Sequence, residues 1–154
     1  MTRSAGLLLY RRAPSGLEVL IAHPGGPFWK HRDEGAWTIP KGLVEAGEAE
    51  LDVARREFRE ETGREPPATS PIDLGEVALK SGKTVTGWAV EGDLDPAAAT
   101  SNEVEIDWPP RSGQRIVVPE VDRVAWVTPD EARRLLNPAQ ASFIDRLLDA
   151  LDPR

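Results

Sequence analysis

A short acidic segment constrains this chain more than any other part of its sequence. Three glutamates, Glu57, Glu60 and Glu61, fall within five residues and are followed by Gly63. On an ideal helix these three side chains lie within an arc of about 100°. Like charges three and four residues apart repel one another, so folding alone does not favour such a face. The segment therefore predicts a helix whose carboxylates are either fully solvated or neutralised by a cation.

The residues around this segment predict a helix from about Ala49 to Thr62. Acidic residues stand at its start, where the helix dipole favours anions, and Gly63 suits the left-handed conformation that ends many helices. An apolar stripe lies beside the carboxylate arc and consists of Leu51, Ala54 and Phe58. One face is expected to pack on a sheet while its neighbour faces a cleft.

Strand-like runs precede the acidic helix and continue after it. Ala5 to Arg11 and Leu17 to Ala22 flank a Pro- and Gly-containing turn and predict a hairpin. Ile72 to Lys80 and Lys83 to Val90 predict a second hairpin, with Ser81 and Gly82 as a two-residue turn. The irregular stretch from Glu91 to Pro119 carries four prolines and is expected to hold one short strand, Glu103 to Ile106.

The last third of the chain predicts one strand and two helices. Val121 to Val127 is the strand, and Thr128 opens a capping box with proline at the first helical position. Asn137 repeats this arrangement before the final helix. That helix has an apolar face of Phe143, Ile144, Leu147, Leu148 and Leu151.

Composition limits the classes of function. At 154 residues the chain is long enough for one core and short for two ordinary domains, so residues 1–154 are expected to form one domain. A net charge of -7 argues against a surface that coats nucleic acid. Cysteine is absent, which excludes disulfides and thiolate chemistry. No run of about 18 apolar residues occurs and no signal peptide is apparent, so we expect a cytoplasmic location without membrane association.

The order of residues from Gly42 to Arg64 resembles the sequence box of the Nudix hydrolase family. Eight positions match the family pattern in register: Gly42, Glu48, Arg56, Glu57, Phe58, Glu60, Glu61 and Gly63. One position departs, because Arg64 stands where the family has an aliphatic residue. This departure bears on the packing of the helix end more than on metal binding. Eight matches at fixed spacings make the resemblance specific.

The resemblance implies an α/β fold, an α/β/α sandwich with a mixed sheet, and a pyrophosphohydrolase that uses Mg²⁺, with Mn²⁺ as the second candidate. It implies Glu57 and Glu61 as principal metal ligands and Glu60 as a further ligand or the group that aligns water. The backbone carbonyl of Lys41 is implied as an additional oxygen ligand. Glu48 and Arg56 are implied as an ion pair that fixes the loop to the helix.

Many relatives also use a carboxylate beyond the box, in a loop before a late strand. Glu120 is the preferred counterpart because it stands directly before the strand that starts at Val121. Glu103 and Glu105 are the alternatives. Glu120 as a solvated loop charge is the competing interpretation.

Basic residues near the box are candidate phosphate contacts. Lys30 and Arg32 stand in the loop before it, and Lys41 occurs in a Pro-Lys-Gly sequence found in relatives that act on polyphosphate chains. Solvated surface charge is the alternative interpretation of Lys30 and Arg32. Trp29 and Trp108 are expected in loops, where either could stack on a base.

Three functional hypotheses follow. The first is a catalytic hydrolase that cleaves a phosphoanhydride in a nucleoside diphosphate-linked substrate, a dinucleoside polyphosphate or a nucleoside triphosphate. Its catalytic residues would be Glu57, Glu60, Glu61 and Glu120. The second is a non-catalytic nucleotide-binding module of the same fold, and the third is a scaffold that uses the C-terminal helices as an interface. The partner is a nucleotide or another diphosphate-containing small molecule, and a homodimer is left open.

Overall fold

A long N-terminal hairpin forms the centre of the structure. The computed structural model describes residues 2–152. Strand β1 (Arg3–Ala13) pairs antiparallel with β2 (Gly16–Pro24), and the register ends with Ala13 opposite Gly16. Pro14 and Ser15 form the two-residue turn between them. The predicted hairpin is confirmed, with both strands longer than expected.

The hairpin belongs to a six-stranded mixed sheet. The remaining strands are β3 (Lys41–Leu43), β4 (Ile72–Ala78), β5 (Thr84–Glu91), β6 (Glu103–Asp107), β7 (Arg115–Pro119) and β8 (Val121–Val127). Strand order in the sheet is β4-β5-β1-β2-β8, and β3 pairs with the N-terminal half of β1. Strands β1 and β5 are parallel, whereas the other pairs in this sheet are antiparallel. The helices are α1 (Glu50–Thr62), α2 (Pro129–Leu135) and α3 (Ala141–Leu151).

Strand β1 supplies apolar side chains to both faces of the sheet. Successive strand residues point to opposite faces. Leu7 and Leu9 join the core on the α1 side, which includes Phe58. Leu8 joins the core on the other side, which includes Phe143 of α3. Helices therefore cover both faces, and the predicted α/β/α sandwich is confirmed.

The acidic helix agrees closely with the sequence pattern. It runs from Glu50 to Thr62 and ends at Gly63, whose φ of 70° is left-handed and whose N–H donates to the carbonyl of Arg59. Val53 joins Ala54 and Phe58 on the buried face, whereas Leu51 of the predicted stripe is only partly buried. Leu51 shares the angular position of Phe58 but lies two turns nearer the start of the helix.

The departure at Arg64 leaves the helix end intact. Arg64 is exposed just beyond the Gly63 cap, and its N–H donates to Oγ1 of Thr62 at 3.2 Å. Thr62 is itself fully buried, and its hydroxyl donates to the carbonyl of Phe58 at 2.7 Å. The helix end is therefore held by the cap and by Thr62, without an aliphatic side chain at position 64.

Two predicted connections differ in the structure. The connection between β4 and β5 has five residues, Leu79 to Lys83, and not two. Within it, the N–H of Leu79 donates to the carbonyl of Lys83 at 2.7 Å, and the N–H of Gly82 donates to the carbonyl of Leu79 at 2.9 Å. The final helix starts at Ala141 after Gln140 rather than at Asn137. Asn137 instead caps the turn at residues 138–140, which precedes this helix, since its side chain accepts from the N–H of Ala139 at 3.1 Å.

The stretch from Glu91 to Pro119 is more ordered than expected. Instead of one strand it holds two, β6 and β7, which pair antiparallel from Glu103 opposite Pro119 to Asp107 opposite Arg115. We call this two-stranded sheet the ribbon. A short 3₁₀ turn at Pro96–Ala98 precedes it.

The helices between residues 2 and 152 are all too short or too polar to cross a membrane.

Candidate functional site

Three carboxylates meet beside the N-terminal end of β8. Glu57 and Glu61 project from α1 one helical turn apart, and Glu120 occupies the link between β7 and β8. One oxygen from each carboxylate lies within 4.8 Å of the other two. Helix periodicity brings the first two together, whereas the sheet topology brings the third.

Burial disfavours the ionised form of the carboxyl groups in this arrangement. Glu61 is 3% exposed, and burial, followed by the charges of Glu120 and Glu57, raises its pKa to about 9. Burial also raises the pKa of Glu57 to about 7, with further contributions from Glu60 and Glu120. Lys41 acts in the opposite direction on the pKa of Glu61. Groups of this kind are typical of sites that bind a cation or move protons.

Asn102 fixes the position of Glu120. Its side-chain amide donates to Oε1 of Glu120 at 2.9 Å, and its carbonyl accepts from the N–H of Glu120 at 2.9 Å. The N–H of Asn102 donates to the carbonyl of Glu60, at the end of α1, at 2.9 Å. The N–H of Gly25 donates to the carbonyl of Glu120 at 3.0 Å. Hydrogen bonds to Asn102, which is itself bonded to the end of α1, and to Gly25, directly after β2, therefore hold the third carboxylate in place.

The loop that enters α1 approaches the carboxylates closely. A Cβ atom at Gly42 would lie 1.8 Å from Oε1 of Glu57, so only glycine fits there beside the present position of Glu57. The N–H of Lys41 points to Oε1 of Glu61 at 3.4 Å. Strand β3 thus forms one wall of the site.

The other predicted carboxylates lie elsewhere. Glu60 is exposed and lies outside the group of three, although its charge adds to the effect of burial in raising the pKa of Glu57. Glu103 and Glu105 are exposed on β6. Glu105 pairs instead with Arg115 across the ribbon at 3.1 Å.

Arg56 and Glu48 form the ion pair expected from the sequence. The Arg56 guanidinium donates to Glu48, which holds the pKa of that carboxyl below its ordinary value. Glu48 also accepts from the N–H of Glu45 at 2.9 Å, and Arg56 lies 3.6 Å from an oxygen of Glu57. The pair therefore connects the loop before α1 to the carboxylate site.

Two cavities flank the carboxylates. One, of about 300 Å³, includes Glu61 and Glu120 in its wall together with Trp29, Trp37 and Gln140. We call it the aromatic cavity. The other, of about 380 Å³, includes Glu57, Glu120, Arg56 and Lys83. Lys41 borders both cavities. A ligand that crosses the carboxylates would therefore contact an aromatic surface on one side and cationic groups on the other.

The predicted basic residues divide between site and surface. Lys41 borders the cavities, but Lys30 and Arg32 are exposed and line neither of them. The Arg32 guanidinium lies over the ring of Phe28 at 4.4 Å and donates to the Phe28 carbonyl at 3.1 Å. Of the two loop tryptophans, Trp29 borders the aromatic cavity and Trp108 does not.

The donor set suits a hard divalent cation. Carboxylate oxygens are the ligands that Mg²⁺ and Mn²⁺ prefer. Two of the three carboxyl groups have raised pKa values because each is buried beside another acid. A cation would relieve this repulsion, and Glu57, Glu61 and Glu120 are the residues placed to hold it. The geometry supports this assignment without identifying the ion.

Sequence reasoning missed Asn102, which holds Glu120. Asn102 stands between Ser101 and Glu103 in a polar stretch, and an asparagine in such a stretch gives no local signal of this role. Its role follows from contacts between Asn102, Glu60 and Glu120, which are distant in the chain.

Comparisons with known proteins show which sequences this chain is similar to. The family model described as NUDIX domain matches residues 1–147. The mouse protein named bis(5'-nucleosyl)-tetraphosphatase [asymmetrical] is 36% identical over 100 residues, which cover 58% of this chain and 64% of the mouse protein. The pig protein of the same name is 33% identical over 113 residues, 66% of this chain and 73% of its own length. The chain thus matches slightly less than two thirds of the mouse relative.

Solved structures show that the fold is shared. The binary complex of the C. elegans Ap4A hydrolase superposes with a TM-score of 0.68 at 20% identity, covering 96% of this chain and 97% of the other. The NUDIX domain of Shewanella oneidensis NrtR, complexed with ADP ribose, gives a TM-score of 0.65 at 17% identity, covering 97% and 87%.

Proposed function

Because this chain belongs to the NUDIX family, we propose that it is a metal-dependent pyrophosphohydrolase that cleaves a phosphoanhydride in a dinucleoside polyphosphate. The observation that carries this proposal is the contact of Glu57, Glu61 and Glu120 between the two cavities. The names of the mouse and pig relatives support this substrate class over a nucleoside triphosphate. The complete set of box carboxylates supports a catalyst over a non-catalytic nucleotide-binding module.

The chemistry requires neutralisation of phosphate oxygens and an oriented water. Glu57, Glu61 and Glu120 would hold Mg²⁺ or Mn²⁺, with the carbonyl of Lys41 as a further oxygen ligand. When bound, the cation supplies positive charge against the phosphate oxygens. Glu60, which is exposed and close enough to Glu57 to raise its pKa, is proposed to help align the water.

Hydrolysis of the phosphoanhydride needs no reactant other than water. The water oxygen forms a bond to phosphorus, and the bridging P–O bond breaks with its electron pair going to the leaving phosphate. A carboxylate of the group accepts the proton that the water releases. Lys41, at the boundary of both cavities, is placed to contact phosphate oxygens on either side of the bond that breaks.

The two cavities fit an extended substrate. The aromatic cavity offers Trp29 and Trp37 for a nucleoside. The second cavity offers Arg56 and Lys83 beside the carboxylates, which suits the negative charge of a polyphosphate chain. Contacts of Lys30 and Arg32 with distal phosphates stay a prediction. Neither residue lines a cavity, so the loop that carries them would need to turn toward the ligand.

The test is a substrate panel with product analysis. Diadenosine tetraphosphate, ATP and ADP-ribose are incubated with Mg²⁺, and products formed in ¹⁸O water show which phosphorus is attacked. We expect asymmetric cleavage of the tetraphosphate, its loss in EDTA, and at least about a 10²-fold lower kcat for Glu57→Gln and Glu61→Gln, because each change removes a cation ligand. Binding of the tetraphosphate without turnover would favour the non-catalytic module, and full turnover in EDTA would exclude the metal-dependent mechanism.

Three broader predictions stay part of this proposal. Residues 1–154 are proposed to act as one domain, and the location is proposed to be cytoplasmic. A homodimer is the third, and light scattering measures it.

A further inference from the structure

His23 is a fully buried polar side chain that the proposed mechanism does not use. It is 0% exposed and lies near the end of β2, where the pairing with β8 shifts register between His23 and Pro24. Its ring packs edge to face against Trp37, with the ring centres 5.1 Å apart. A polar ring buried in this way must have hydrogen-bond partners on both nitrogens to avoid a large desolvation cost.

The two ring nitrogens face two different parts of the chain. Nδ1 lies 2.9 and 3.1 Å from the two carboxylate oxygens of Asp122, on β8. Nε2 lies 2.6 Å from the backbone carbonyl of Arg32, in the loop that follows β2. A carbonyl oxygen can only accept, so the proton of this bond lies on Nε2. His23 therefore bridges the sheet to the middle of the loop.

That loop, residues 24–35, forms part of the aromatic cavity. Trp29 borders the cavity, and its carbonyl accepts from the N–H of Arg32 at 2.9 Å. The ends of the loop are tied by backbone bonds, from Gly25 to the Glu120 carbonyl and from Gly35 to the Arg134 carbonyl. Between these ends, the bond from His23 joins the loop to a buried group. A hydrogen bond to Arg32 thus restrains the turn that carries Trp29.

The side chains of Asp33 and Glu34 form exposed ion pairs, and Asp33 in addition accepts from the partly buried indole N–H of Trp37 at 3.3 Å. Asp33 lies 3.3 Å from Arg123, and Glu34 lies 3.3 Å from Arg134. Exposed pairs of this kind contribute little and are weakened by salt. At 2.6 Å and fully buried on the His23 side, the contact made by His23 is therefore expected to be the strongest of the side-chain restraints on the middle of the loop.

We propose that His23, oriented by Asp122, is a positioning residue that holds the loop at residues 24–35, and with it Trp29, in the conformation that binds substrate. This inference rests on the proposed function only for its effect on substrate binding. Its structural part, the restraint of the loop by His23, stands independently. Because Glu120 has its own restraints from Asn102 and Gly25, loss of the His23 bridge should weaken binding more than it slows the chemical step.

Two substitutions separate the two bonds of the ring. The side-chain nitrogen of asparagine lies as many bonds from Cβ as Nδ1, and that of glutamine nearly matches Nε2. His23→Asn therefore keeps the contact with Asp122 and loses the bond to Arg32, whereas His23→Gln keeps the bond to Arg32. A residue that merely fills space would respond similarly to both changes.

Limited trypsin proteolysis of the full chain reads the loop without requiring activity. Lys30 is exposed within it, and Lys80, in the β4–β5 turn, is an exposed internal control. In His23→Asn we expect cleavage after Lys30 to rise about three- to tenfold with cleavage after Lys80 unchanged, because one hydrogen bond that closes the loop is lost. His23→Gln should stay near the wild-type rate. Equal rates in both variants, or a rise at both sites together, would overturn the proposal.

Kinetics with diadenosine tetraphosphate give the second readout. We expect His23→Asn to raise KM several-fold while kcat stays within about twofold, since the lost restraint acts on binding. A fall in kcat at constant KM would overturn the assignment to substrate positioning. If His23→Asn does not fold, Asp122→Ala is tested in its place, with a smaller rise after Lys30 expected, because the ring keeps its partner Arg32 and loses only the carboxylate that orients it. If the wild-type chain does not hydrolyse the substrate, the proposed function fails while the cleavage rates still decide the role of His23.

Discussion

Glu120 shows how much of the site depends on one residue outside the acidic helix. The sequence offered three candidates for the distal carboxylate, and the structure brings only Glu120 of these to Glu57 and Glu61. Glu103 and Glu105 project from the exposed ribbon. Glu120 is only partly buried, so its carboxylate contributes more to the site than to the core.

Substitution of Glu120 separates these roles. We expect Glu120→Gln to lower kcat at least about tenfold with little change in melting temperature, because a partly exposed loop carboxylate aligns reacting groups without supporting the fold. Glu105→Gln is the matched control, since Glu105 pairs with Arg115 away from the site. Steady-state kinetics and thermal unfolding check both variants. A Glu105→Gln enzyme that loses kcat beside an active Glu120→Gln enzyme would contradict this assignment.

Individual residues differ in how well sequence predicts them. Glu57 and Glu61 stand four residues apart on a helix with a clear cap, so the helical period alone predicts that they share a face. Asn102 and Glu120 meet through pairing that is distant in the chain, and neither residue has a local signal for it. The loop after β2 shows the same limit. Lys30 and Arg32 are close to the box in sequence, but Trp29 of that loop borders the aromatic cavity and these two basic residues do not.

Among elements, β3 and α1 are the pair that shapes the site. Gly42 on β3 leaves no room for a side chain beside Glu57, because an added Cβ would lie 1.8 Å from Oε1. Glycine therefore occupies position 42 for a steric reason that the surrounding sequence does not reveal. The separation of strand and helix fixes where the Glu57 carboxylate can stand.

An alanine at this position tests the contact between the two elements. We expect Gly42→Ala to lower activity at least about tenfold and the melting temperature by several degrees, since overpacking costs about 1–3 kcal/mol and Glu57 must move. Leu43→Ala is the control on the same strand, where the side chain is 57% exposed. Thermal unfolding and steady-state kinetics give the comparison. A fully active Gly42→Ala enzyme would show that Glu57 has a second position from which it functions.

The elements also show why prediction succeeded in some parts of the fold. The first hairpin, α1 and the capping box at Thr128 each have strong local signals, and all three are confirmed. The second strand of the ribbon, Arg115–Pro119, was missed. It is short and mostly exposed, and glycine and prolines stand close by, so its pattern resembles a loop. It is a strand because it pairs with β6, and not because it buries an apolar face.

At the scale of the whole molecule, the acidic site links stability to pH and to cation binding. The folded-state pKa values of Glu57 and Glu61, about 7 and about 9, lie above the ordinary value of 4.5. The folded chain therefore holds protons that the unfolded chain has already released. This contribution to stability is fully present below about pH 4.5 and is lost as the pH rises through 7 toward 9.

Thermal unfolding at several pH values measures this link. In EDTA we expect the melting temperature to fall by several degrees between pH 6 and pH 9, because one pKa unit corresponds to about 1.4 kcal/mol and each kcal/mol shifts melting by about 2–4 °C in a protein of this size. Mg²⁺ should raise the melting temperature more at pH 9 than at pH 6, since it binds the ionised carboxylates. Glu61→Gln is the control and should show a smaller fall with pH. An equal fall in wild type and variant would remove Glu61 as its source.

Because the ribbon is closed at its base, chains of this kind can diverge at its tip. Its two ends meet at Asn102 and Glu120, which are joined by backbone and side-chain hydrogen bonds. Insertions or deletions at the far tip, between Asp107 and Arg115, therefore leave the ends where they are. Over evolutionary time the tip can change in length and composition while the carboxylate keeps its place. The same property makes this hairpin a suitable position for grafting new recognition segments beside an unaltered reaction centre.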